Sequence, residues 1–128
     1  MEYDENIRNI IEQNEKLSKR IDFLEFRVEL LAENSNVSSL LFECKITKDQ
    51  YNQIMDLMDS LRKKLDNKQE VSNIDYENEV SKITGNQDYH FAELLAMAFM
   101  EDGRWEEVFP ALYGELPKYK HYLESRNN

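Results

Sequence analysis

Few residues in this chain have the type and spacing to do chemistry. They are two histidines, one cysteine, one tryptophan and a short run that mixes bases with aromatics. His90 and Glu93 stand three apart, so on a helix they share one face, a spacing used in carboxylate-bridged metal sites. Such sites need the motif twice, with further carboxylates. His121 and Glu124 repeat the spacing, but in a C-terminal segment outside any bundle. A metal-binding helical protein built on His90 and Glu93 is thus one alternative. The preferred expectation is structural or surface histidines, with no metal, no cofactor and no catalytic residue. Cys44 lies in the apolar stretch Leu40-Leu41-Phe42-Glu43-Cys44, the setting of a buried thiol. Nothing orients it against a histidine, and no Gly-rich loop could cradle phosphate. Lys118-Tyr119-Lys120-His121-Tyr122 has the composition of a single-strand nucleic-acid binder, but one such patch reads first as a solvated tail. Trp105 reads as a core or intersubunit packing residue.

The elements that would position these residues are helices. Charged residues make up 33% of the 128, and three Gly and two Pro leave too few turns for a sheet protein. The expected fold class is all-α: a small bundle of roughly five or six helices behind a long N-terminal heptad helix. A chain of this length can bury a core without staples. Its formal charge of −10 repels phosphate backbones and anionic lipids, so neither direct nucleic-acid binding nor membrane binding is expected. No apolar run is long enough to span a bilayer, no signal peptide is expected at the acidic N-terminus, and the single cysteine fits a reducing cytoplasm.

The heptad pattern is the clearest signal. Ile7, Asn14, Ile21 and Val28 occupy the a sites, and Tyr3, Ile10, Leu17, Leu24 and Leu31 the d sites, in unbroken steps of three and four. β-branched residues at a with mostly Leu at d favour a parallel two-stranded coiled coil, and a lone Asn at a fixes register. Arg20 at g and Glu25 at e would meet across such a dimer, although Ile10 at d and the sparse e/g charges pull away from a clean dimer. The predicted self-association interface is Ile7, Ile10, Asn14, Leu17, Ile21, Leu24, Val28 and Leu31. Residues 1–20 read as an arm with one apolar strip, continuous with the first helix of a core domain over 21–113. Phe23, Phe26 and Leu30 predict that residues 21–32 are buried nearly all round.

Further along, residues 37–44 predict a short helix. Thr47 and Gln50 form a capping box, with Ile46 and Tyr51 as staple, for a helix running to about residue 68. Residues 66–75 read as a loop, 75–84 as a helix closed by Gly85, and 89–102 as the most apolar helix, ended by Gly103. Residues 104–113 predict another, kinked or ended by Pro110. Residues 114–128 read as a tail, with some helical character from Lys118 onward.

Three stretches carry a resemblance: Ile21-Asp22-Phe23-Leu24-Glu25-Phe26-Arg27-Val28-Glu29-Leu30-Leu31, Ile46-Thr47-Lys48-Asp49-Gln50, and Ala98-Phe99-Met100-Glu101-Asp102-Gly103-Arg104-Trp105-Glu106-Glu107-Val108-Phe109. In order and rough spacing they resemble the opening helix, the Leu-Ser-Lys-Glu-Glu helix start and the Gly-hinged helix pair of the YhaI-like family, small helical proteins of Bacillus and relatives with no assigned function. The resemblance covers about residues 20–113. It implies a helical, oligomeric protein and brings no catalytic residues. Lys45 stands where the family has Gly, and the arm before residue 20 is longer.

Together these readings predict a non-enzymatic interaction protein, a cytoplasmic homo-oligomer with the dimer favoured, that binds a further protein. An alternative gives the acidic surface a mobile-element role, blocking a host nucleic-acid-binding protein.

Overall fold

A computed structural model describes residues 2–85 and 88–126, with side chains from residue 4 onward. Among the described residues the fold is all-α: seven helices and no strand. They are α1 (Glu2–Glu33), α2 (Asn36–Glu43), α3 (Lys48–Asp66), α4 (Asn73–Thr84), α5 (Tyr89–Glu101), α6 (Val108–Tyr113) and α7 (Pro117–Arg126).

Side-chain caps start the middle helices. Ser35 accepts from the Ser38 N–H, Ser72 from the Asp75 N–H, and Asp88 from the N–H groups of His90 and Phe91. Thr47 and Gln50 close both halves of the predicted capping box at α3. At their other ends, α1 to α5 are each followed by a residue in the left-handed region: Asn34, Lys45, Lys68, Gly85 and Gly103. After α2, the Ile46 N–H reaches the Leu41 carbonyl (3.0 Å) and the Lys45 N–H reaches Phe42 (3.2 Å), which is a Schellman closure. Lys45 thus adopts, at φ 56°, the conformation for which a glycine was expected.

α5 is the centre of the body. Phe91, Ala92, Leu95, Ala96, Phe99 and Met100 are buried along it, and α2, α4 and α6 pack around it. Val37 and Leu41 come from α2, Tyr76 and Val80 from α4, and Val108, Phe109, Leu112 and Tyr113 from α6. α3 closes the core with Ile54, Met58 and Leu61, and the partly buried Met55 packs at its edge. Asp102, at the end of α5, accepts from the N–H groups of Asn36 (3.1 Å) and Val37 (2.9 Å), capping α2 from far along the chain.

Three expectations need correction. Residues 21–32 are not buried all round: only Phe26 and Leu30 are buried, with Phe23 and Arg27 half-covered. Residues 104–107 are turns rather than helix, because Gly103 (φ 77°) and Trp105 (φ 47°) both take left-handed backbone. The Trp105 indole secures that turn by packing edge-on against Phe99 (5.0 Å between centroids) and donating to Asp59 (2.9 Å). Pro110 therefore falls in the first turn of α6, where its missing N–H costs nothing, and it kinks no helix. Finally, the tail is more than partly helical: residues 117–126 form α7, whose Tyr119, Tyr122 and Leu123 pack against the core.

Candidate oligomer interface

α1 has two apolar faces. In heptad terms Phe23 and Leu30 lie at c and Phe26 at f, on the back of the helix, and this face meets the body. Phe26 stands 6.0 Å from Tyr51 of α3 between ring centroids. Arg27, at g, lays its guanidinium 3.8 Å from the Phe42 ring centroid and donates to the Phe42 carbonyl (3.1 Å). Arg27 is thereby engaged with its own chain.

The opposite face is bare. Ile7, Ile10, Leu17, Ile21, Leu24, Val28 and Leu31 are exposed by 41% (Ile7) to 64% (Val28). Asn14, within the same strip, is also exposed, and Ile11 at e widens it. All eight residues of the sequence-derived interface therefore lie on one solvent-facing strip, about 36 Å long at the helical rise. The side chain of Tyr3, the first d site, lies outside the described residues. From Asp4 to Asp22 every residue is exposed, so this length of α1 has no support from its own body. Sequence reasoning missed that the strip stays open alongside the body.

The other candidate residues are not brought together. His90 is exposed and stacks on Tyr89 (4.0 Å between centroids). Glu93 is buried and turned to α7, where Lys118 donates to both of its oxygens (3.0 and 2.9 Å) and the Tyr119 hydroxyl to one (2.6 Å). The pair of carboxylate and histidine is thus split between a latch and the solvent. Among the described residues no group of three or more His, Cys, Asp or Glu has the disposition to hold a metal. Lys118, Tyr119 and Tyr122 of the mixed basic–aromatic run face acidic acceptors on α5, Glu93 for the first two and Glu101 for Tyr122, so these three side chains tie α7 down. Burial, then the nearby Glu93 carboxylate, pushes the Tyr119 phenol well above its ordinary range.

Cys44 is half-buried, and its thiol is raised by burial and then by Glu43 and Asp88, which keeps the unreactive thiol form. A shallow groove of about 570 Å³ lies between α1 and the start of α3, with Phe23 and Phe26 among its walls. No helix among the described residues is long and apolar enough to cross a membrane. What fold and surface define together is a small all-helical bundle carrying an open heptad strip. No family model, curated protein or solved structure matches the chain.

Proposed function

We propose that this chain is a non-enzymatic protein-interaction protein that works as a homo-oligomer, assembled through the strip on α1. The observation that carries the reading is the exposure of Ile7, Ile10, Leu17, Ile21, Leu24, Val28 and Leu31 on one line of a helix that is exposed at every residue from Asp4 to Asp22. An isolated helix of that length is marginal in water, whereas a partner helix supports it and covers the strip. Each half-exposed aliphatic offers on the order of 100 Å² of removable apolar surface. With Ile11 the strip holds eight, so two copies would cover roughly 1,600 Å², within the range of stable interfaces.

The assembled protein offers an acidic body to a further protein partner, for which the net charge of −10 favours a basic surface. A cytoplasmic setting, in which Cys44 stays reduced, belongs to the same proposal. So does kinship with the YhaI-like proteins, supported by the three segments that resemble theirs.

Sedimentation of the full chain beside a Leu17→Glu/Leu24→Glu variant tests the reading. The parent should sediment at a multiple of the chain mass and the variant as a monomer with its body folded. A monomeric parent at tens of micromolar would sink it.

A further inference from the structure

We infer that the strip takes a second copy of this chain in one arrangement only: parallel and in register, with Asn14 facing Asn14 of the partner subunit. The inference rests on the self-association proposed above and adds orientation and register to it.

Asn14 decides the matter. It is the one amide on the strip, and its neighbours along the seam from residue 7 to 31 are all aliphatic. In an antiparallel coiled coil, an a residue of one helix always packs in a layer with a d residue of the other. The d residues there are Ile10, Leu17, Leu24 and Leu31, none of which can bond an amide. Setting Asn14 against the earlier d residue, Tyr3, would leave residues 17–31 uncovered. Antiparallel pairing that covers the strip therefore buries two amides without partners. A parallel pair slipped by one heptad fares no better, since it sets Asn14 against Ile7 or Ile21. The parallel, in-register pair alone puts both amides in one layer, where each donates to the other's carbonyl.

Two further observations agree. Parallel pairing sets Arg20 at g beside Glu25 of the partner subunit at e, while Arg27, the next g residue, is already held on Phe42 of its own chain. The body lies behind α1, on Phe23, Phe26 and Leu30, so it leaves the seam clear to Leu31. The resulting particle is a rod with both bodies at one end, each on the outer side of its own helix. Every surface of the body is thereby presented twice about a twofold axis, which suits a partner that is itself paired or repeated.

Spin labels on the exposed back of α1 provide the test. In the full-length chain with Cys44→Ser, a label is placed at Glu5→Cys or at Lys19→Cys, both at f, and the distance between labels is measured by dipolar spectroscopy. The parallel, in-register pair gives nearly the same distance at both positions. An antiparallel pair covering residues 7–31 separates the Glu5 labels by about 42 Å along the axis and the Lys19 labels by almost nothing. That second result overturns the inference and leaves self-association standing, whereas a monomeric mass overturns both. The Asn14→Leu variant should broaden the distance distribution or raise the oligomer size. If it keeps the parent's single narrow distance, Asn14 does not set the register.

Discussion

α1 and α5 are both rich in large apolar side chains, yet the molecule treats them in opposite ways. α5 is thirteen residues long and buries eight of them, even Glu93, because its apolar residues run round the whole circumference. α1 is thirty-two residues long and buries Phe26 and Leu30, while a longer apolar strip on its other side faces water. The difference teaches that apolar content does not by itself assign a helix to the core. A strip at a and d alone is too narrow to seat a helix in a globular core, which needs a wider stripe, but it is the width of a two-helix seam. The c and f residues between 23 and 30 supply the separate face by which α1 holds its body.

Breaking the two helices in turn should separate the two kinds of burial. Phe99→Ala in α5 removes a fully buried ring and its edge-on contact with Trp105, and should cost about 3–5 kcal/mol of unfolding free energy. Leu24→Ala on the strip should change the unfolding of the dilute protein by less than about 0.5 kcal/mol. It should instead weaken association, so that its effect grows with concentration. Urea unfolding at two protein concentrations reads both effects. Equal losses for the two variants in dilute solution would mean that the strip is covered by its own chain.

Much of this division is legible in the residues, and the illegible part has a physical cause. The period of three and four from Ile7 to Leu31 marks one narrow apolar strip at a and d, and the structure leaves that strip exposed. The same pattern does not say which apolar face of residues 21–32 the monomer uses, since a second copy and a core stabilise an exposed leucine alike. The docking of α7 on the body was hidden for another reason. Lys118, Tyr119 and Tyr122 look like a solvated run because their acceptors, Glu93 and Glu101, lie more than twenty residues earlier in the chain. Glu93 in turn looks like half of a metal motif until Lys118 is seen on its carboxylate. The turn at Trp105 was unreadable too, because a tryptophan at φ 47° is held by tertiary contacts with Phe99 and Asp59 against its local preference.

The two regions should also part company in alkali. Burial raises the phenols of Tyr76, Tyr113 and Tyr119 above their ordinary value near 10, helped by Glu77 for the first two and by Glu93 for the third. A group whose folded pKa lies above its unfolded one binds its proton more tightly when folded. Its stabilisation is complete below pH 10 and drains away as the pH climbs past that point. All three side chains belong to the body, and none lies on the strip. Tyrosinate absorbance from them should therefore rise only together with loss of the near-ultraviolet dichroism of the packed core. Full ionisation with that dichroism intact would show that these rings are not packed as described.

The smallest effect concerns how the body is tied to the back of α1. Lys45 and Lys68 sit at φ 56° and 58° directly after the caps of α2 and α3, in a backbone region where a Cβ is disfavoured and glycine is at ease. Each donates one of the two hydrogen bonds that close its helix and the next residue, Ile46 or Gln69, donates the other, so the conformation is held by its neighbours against a local cost. Lys45→Gly and Lys68→Gly should each stabilise the body by about 1 kcal/mol, less what the freer glycine loses in the unfolded chain. Gly103→Ala, at φ 77°, should destabilise it by a similar amount for the same reason. None of the three residues touches the strip, so the thermal midpoint should move while the dissociation constant of the assembly stays fixed. If Lys45→Gly altered association as much as stability, the turn between α2 and α3 would have to act on α1 through Tyr51 and Phe26. The back face and the strip would then be coupled rather than independent.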